Sequence, residues 1–179
     1  MFRIFFVSIL LFFSNLAFGK YLTFLDPKSE LIISKYLGKN YLIGSANYSF
    51  MFWNIYDAEL YSTSNKIDFK EFAVVLKYNH SITKKRLVKE TIDDIKEQKK
   101  INQDKEKKWR KLLESIYVKT DIGKKFIGIK KMDKAIFYYD DKKIYQSYDQ
   151  EFNELFFNIW LRNDSKNPEF SKRLLGKIK

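Results

Sequence analysis

Cysteine is absent from the chain and histidine occurs once, at position 80. Without thiols there are no disulfides, no thiolate metal ligands and no cysteine nucleophile. A single imidazole restricts any histidine triad to His80, and no G-x-S-x-G elbow accompanies it. At the junction of a strand and a helix, His80 reads first as a loop-capping residue. The two prolines, Pro27 and Pro168, and the six glycines at 19, 38, 44, 123, 128 and 176 form no linker and no phosphate-cradling loop. Gly123 and Gly128 read as turn or bulge residues at the start of a hairpin. Arginine is also scarce, five of 34 basic residues. A phosphate- or base-reading surface favours the bidentate arginine fork, so the formal net charge of +12 reads as a solvated lysine face and no nucleic-acid partner is expected. The same chain is rich in Asn, Ile, Phe and Tyr, which like Lys are specified by AT-rich codons. Residues 84–111 carry twelve Lys or Arg against six acids, with Trp109 the lone aromatic, so base stacking has no platform there.

The first residues are of another kind. Arg3 precedes an apolar run from Ile4 to Phe13 broken only by Ser8, and Ala17-Phe18-Gly19 supplies small residues before a cleavage point. This is the pattern of a secretory signal peptide over residues 1–19, cleaved after Gly19. The run is shorter than the roughly 20 residues a membrane-crossing helix needs, and Ser14-Asn15 interrupts it. Removal of Arg3 leaves 33 basic against 22 acidic residues. The expectation is a periplasmic or secreted protein with no transmembrane segment after cleavage. Residues 20–179 have the size of one domain, held by its core alone. Aromatics make up 18 % of the chain, enough for such a core.

Residues 40–62 read as two extended segments, and their densest part is FMFWNIYDAELY at 50–61. Tyr48, Phe50, Phe52, Tyr56, Ala58 and Leu60 share one face at period two, while Trp53, Ile55 and Tyr61 share the other. Phe72–Tyr78 is a third strand. Ser81 or Thr83 caps a helix with a narrow stripe of Val88, Ile92 and Ile95, and Asp104 caps a second with Trp109, Leu112, Leu113 and Ile116. KKFIGIKK, KAIFYYD and KIYQS are further strands, the last two joined by the polar turn at 140–143. Asp149 opens a third helix with Phe152, Leu155, Phe156, Ile159 and Trp160, and FSKRLLGKI is a short last one with Gly176 as its stop. This order predicts an α+β domain, an antiparallel sheet with helices packed on one face.

The blocks GSANYSFMFWNIYDAELY (44–61), FAVVLKYNHSITKKRLVKET (72–91), FYYD (137–140), EFNELFFNIWL (151–161) and LLG (174–176) resemble the bacterial chalcone isomerase-like family. Their order and spacing, more than any one block, carry the resemblance. It implies an open-faced β-sandwich, a large antiparallel sheet backed by a helix layer. A cleft between the layers would hold a flavonoid-type substrate in the plant enzymes or a fatty acid in non-catalytic relatives. The enzymes place Arg, Thr, Lys, Tyr and Asn around an enone whose negative charge they stabilise. Matched to that pattern, Leu87 stands where the Tyr would be, Asp94 where the Asn would be and Tyr56 where the Thr would be, with Asn47 or Tyr48 nearest the Arg. These departures weigh against isomerase activity.

The expected function is therefore an exported, non-catalytic protein holding a fatty acid or similar amphipathic ligand, with no cofactor and no metal. The candidate ligand residues are Tyr48, Phe50, Phe52, Tyr56, Tyr78 and Arg86, with Arg86 or Lys85 meeting a carboxylate head. The bland reading makes these aromatics plain core. Asp57 and Glu59, two apart on a strand, are either a general acid/base pair or a solvent-side pair facing lysine. A chalcone isomerase-type intramolecular lyase and an envelope protein-interaction module are the alternative functions, and any protein partner stays open.

Overall fold

The computed structural model describes residues 23–178; the leader read at 1–19 lies outside the described residues. The chain runs α1 (Pro27–Leu37), β1 (Tyr41–Phe50), β2 (Trp53–Ser62), β3 (Glu71–Tyr78), α2 (Lys84–Gln98), α3 (Gln103–Ile116), β4 (Lys125–Lys131), β5 (Lys134–Tyr139), β6 (Lys142–Ser147), α4 (Gln150–Leu161) and α5 (Pro168–Leu174). The strands form one six-stranded sheet in chain order, every neighbouring pair antiparallel. Two-residue turns join β1 to β2, β4 to β5 and β5 to β6. Each begins with a residue at positive φ: Met51, Met132 and Asp140.

Four helices cover one face. Ala58, Leu60, Val74, Leu76, Phe126 and Phe137 of the sheet meet Val88, Ile92 and Ile95 of α2, Trp109 and Leu113 of α3, Phe156 and Phe157 of α4, and Leu174 of α5. The expectation of helices on one face alone is corrected by α1. Its Ile33 and Leu37 pack on the opposite face against Tyr61, Ala73, Val75, Ile127, Ile129 and Ile136. Asp26 accepts the Ser29 N–H, and Pro27 opens the helix where a missing N–H costs nothing. Covered on both sides, the central strand β3 reads FAVVL without alternation.

The caps follow local chemistry. Thr83 caps α2, its Oγ1 accepting the Arg86 N–H at 3.3 Å, and Asp149 caps α4. For α3 the cap is Asn102, which accepts the Lys105 N–H at 2.9 Å; Asp104 lies inside the first turn, where a carboxylate suits the helix dipole. Two glycines fix the place of α5. A Cβ on Gly44 would lie 2.3 Å from the Arg173 carbonyl oxygen, and one on Gly176 would lie 2.5 Å from that of Ile43. Only bare backbone lets β1 and the end of α5 approach so closely. Gly128 is neither turn nor bulge: it sits within β4, paired with Val74 and Phe137, and leaves room for the Phe157 ring.

Candidate ligand cavity

The site begins with a cross-strand pair. Tyr48 and Tyr56 are partners in the β1–β2 ladder, and their rings stack at 4.9 Å and 15°. Phe170 of α5 stands edge-on to both at 6.1 Å, and Tyr78, the β3 partner of Tyr56, meets it at 6.3 Å. From α4, Trp160 donates its indole N–H to the Tyr56 hydroxyl oxygen at 3.0 Å. At the end of α3, Tyr117 and Thr91 share a buried hydroxyl–hydroxyl hydrogen bond of 2.9 Å. These groups wall a cavity of about 620 Å³ between the sheet and α2, with the α4–α5 segment across from it.

Helical spacing decides what α2 presents. Val88, Ile92 and Ile95 enter the core, while Thr83, Arg86, Leu87, Glu90, Thr91 and Asp94 line the cavity. Asp94 is flanked by Lys166 at 3.6 Å and Arg162 at 3.8 Å. Burial pushes its carboxyl above the usual range, Glu97 adds to this, and the two cations pull against it. Burial also raises the phenols of Tyr48, Tyr56, Tyr78 and Tyr117. For Tyr48 the Asp94 and Glu90 carboxylates reinforce the effect, whereas for Tyr56 the Trp160 hydrogen bond opposes it. All four therefore stay neutral near pH 7, as hydroxyls that can donate or accept. An apolar tail suits the rings, and a polar head suits the hydroxyls together with Arg86 and Lys166.

Of the residues read from the sequence, Tyr48, Phe50, Tyr56, Tyr78 and Arg86 line this cavity. Phe52 does not. It sits in the β1–β2 turn and is 97 % exposed. Lys85 is exposed on α2 and is not part of the lining, whereas Arg86 and, from the α4–α5 segment, Lys166 are. Trp53 and Ile55, assigned by alternation to the far face, border the cavity. The ladder passes from Tyr48–Tyr56 to Ser49–Asn54, so Ile55 is an extra residue, and such a bulge switches the side-chain parity beyond it. Trp53 packs edge-on against His80 at 5.3 Å. Leu87, Asp94, Tyr56 and Tyr48, the positions matched to the enzymes' polar groups, all stand on the cavity wall. Asn47 instead donates to Asp57 at 2.5 Å.

Asp57 and Glu59 are not a working pair. Asp57 also accepts from Asn54 and faces Lys77 across the ladder; despite burial, which works the other way, the asparagine hydrogen bonds hold its carboxyl below the ordinary range. Glu59 is buried beneath the residues before α1, accepting from Tyr61 at 2.7 Å, Thr23 at 3.0 Å and the Phe24 N–H at 3.1 Å. Among the described residues no cluster of His, Asp and Glu is arranged to hold a metal. Sequence reading passed over Thr91, Trp160, Lys166 and Phe170. Only the α2 spacing carried a signal for Thr91, and the other three come from elements far along the chain.

Neither a scan against protein-family models nor a search of curated proteins gives a match. Among solved structures, the chain is similar to a fatty-acid binding protein of Arabidopsis thaliana. The TM-score is 0.62 over 78 % of this chain and 88 % of that one, at 7 % sequence identity. The fold is of the chalcone isomerase type. At that identity the likeness establishes architecture, and within this fold the cavity lies between the sheet and its helix layer. Among the described residues, no helix is long and apolar enough to cross a membrane.

Proposed function

We propose that this chain is an exported, non-catalytic binding protein that holds a fatty acid or similar amphipathic molecule between its sheet and its helix layer. The observation that carries the reading is the open space of about 620 Å³ over Tyr48, Tyr56 and Tyr78, within the roughly 300–1,000 Å³ of small-molecule sites. The tail lies along the tyrosine and Phe170 rings, and the head meets Arg86 or Lys166. The similarity to a fatty-acid binding protein supports the ligand class. The groups at the matched catalytic positions argue for binding without turnover: Leu87 offers no hydrogen bond, and Asp94, held between Lys166 and Arg162, is not the amide donor that the matched Asn would supply to an enolate.

A displaceable fluorescent fatty-acid probe tests the binding. The native chain is expected to bind it saturably. Leu87→Trp fills the cavity from a half-buried helix position, so it should weaken the probe at least about tenfold while the unfolding midpoint holds. Absence of saturable, competable binding would overturn the proposal. Export rests on residues 1–19, and the intact mass of protein recovered outside the cytoplasm should correspond to a start at Lys20.

A further inference from the structure

We propose that the β1–β2 hairpin tip docks this protein on an anionic lipid bilayer, with the mouth of the cavity against the membrane surface. Four consecutive large apolar residues form the tip, and all are exposed: Phe50 by 53 %, Met51 by 76 %, Phe52 by 97 % and Trp53 by 61 %. A two-residue hairpin turn normally takes Asn, Asp or Gly. Here Met51 holds φ at 55°, a conformation that glycine adopts freely and a side chain resists. Sequence and structure thus agree in placing apolar surface where folding alone would select a small polar turn.

The tip projects. The last ladder pair between β2 and β3 is Tyr56–Tyr78, the Asn79 N–H still reaches the Ile55 carbonyl and His80 meets the Trp53 ring, so the turn at Met51 and Phe52 is what stands beyond the neighbouring chain. At about 3.3 Å per residue the turn reaches on the order of 5 Å beyond that contact, at the shallow end of the roughly 5–10 Å depth reached by interfacial segments. Trp53, at the base of the tip, is the residue type favoured at the boundary between head groups and acyl chains.

Charge on the same rim selects the occupant. Phe50, Trp53 and Arg86 all border the cavity and are exposed, so the tip and the first turn of α2 share its rim. That turn reads Lys84-Lys85-Arg86 with no acidic residue. Cations are disfavoured at the positive end of a helix dipole. Among the described residues, these three make no ion pair. A projecting apolar tip beside unpaired cations matches an anionic bilayer, where apolar groups insert and lysines meet phosphates. The docking stands independently of what the cavity holds. If the carrier reading also holds, the ligand passes between bilayer and cavity without crossing water.

The test uses the exported chain starting at Lys20, free of the apolar run at residues 4–13 that would itself enter lipid, with vesicles of phosphatidylglycerol and phosphatidylcholine, or of phosphatidylcholine alone. Trp109 is buried but Trp160 lines the cavity, so an emission change is assigned to Trp53 by its loss in Trp53→Phe. Anionic vesicles should shift that emission to the blue, and brominated acyl chains should quench it. The double variant Met51→Gly, Phe52→Asn installs residues the turn prefers, so folding is preserved. Because a buried Met or Phe side chain is worth about ten- to hundredfold, vesicle affinity should fall at least about tenfold. Lys84→Glu with Lys85→Glu should abolish the preference for anionic vesicles, since each near-surface cation is worth about fivefold. Three results would overturn the docking. One is vesicle binding unchanged by the tip variant. Another is a dimer that the tip variant dissolves. The third is tip-dependent capture of an envelope protein with no vesicle binding. Tip-dependent vesicle binding by a chain whose cavity is empty by mass spectrometry would support the docking and sink the carrier reading alone.

Discussion

Two halves of one sheet face are paved with rings, and they end differently. Over β4 and β5, Phe126 and Phe137 meet the rings of α4. Phe137 lies 5.1 Å from Phe156 and 6.3 Å from Phe157, and Gly128 makes room for Phe157 against the strand. Between those rings no space is left, and the opening on that side, a cleft of about 600 Å³ bordered by Phe72, Lys130, Phe157 and Leu161, lies beyond them at the far end of β4. Over β1 to β3, Tyr48, Tyr56 and Tyr78 face the side of α2 bearing Arg86, Leu87, Glu90, Thr91 and Asp94, and there the space stays open. Trp160 marks the boundary, 5.3 Å from Phe156 on one side and bonded to Tyr56 on the other. The aromatic residue does not decide between core and binding wall; the helix face opposite it does.

The contrast is broken most severely in the filled half. Phe156→Ala removes a fully buried ring and should cost about 3–5 kcal/mol of stability, read as a lower urea midpoint. Fatty-acid probe affinity, measured where the variant remains folded, should change little. Tyr56→Phe tests the boundary. It takes the acceptor from the Trp160 N–H, so a loss of about 1 kcal/mol is expected, with probe binding retained because the ring remains. A collapse of probe binding in that variant would mean that the hydroxyl, and not the stacked ring surface, holds the ligand.

The smallest effect lies on the opposite face of the sheet, at the entry to α1. Burial raises the Asp26 carboxyl, but its contacts with Lys125 and the Ser29 N–H prevail and lower it from 3.8 to about 2. A carboxyl depressed by folding stabilises the fold above its unfolded value, and that contribution fades as pH falls from about 4 towards 2. Asp26→Asn keeps a good cap and removes the charge. With the Asp26 side chain 42 % exposed but Lys125 only 11 %, the difference should be about 1 kcal/mol at pH 6 and shrink as pH falls towards 2. A gap in urea midpoint that persists undiminished at pH 2 would contradict the assignment.

Much of the architecture is written in local pattern. Period-two alternation and polar turns mark the strands, and Thr83 and Asp149 mark their helices, because those signals act within a few residues. The face of α2 that lines the cavity was also present as spacing, though its polar residues read as solvent-facing until the α4–α5 segment is seen across from them. The Asp26-Pro27 start and the Gly38 stop of α1 were there as well, around an apolar stripe too short to stand out. What alternation could not supply is the extra residue at Ile55, which carries Trp53 to the cavity side and leaves Phe52 at the tip. Nor could it show the empty space, which depends on Phe170, Trp160 and Lys166 arriving from over a hundred residues away.

The decisive measurement is native mass spectrometry of the purified chain, followed by solvent extraction of what it carries. A bound amphiphile of fatty-acid mass, displaced by added fatty acid and absent from Leu87→Trp, is the expected result. A ligand-free spectrum that stays ligand-free after incubation with fatty acids would contradict it, and the open half of the sheet would then need another occupant.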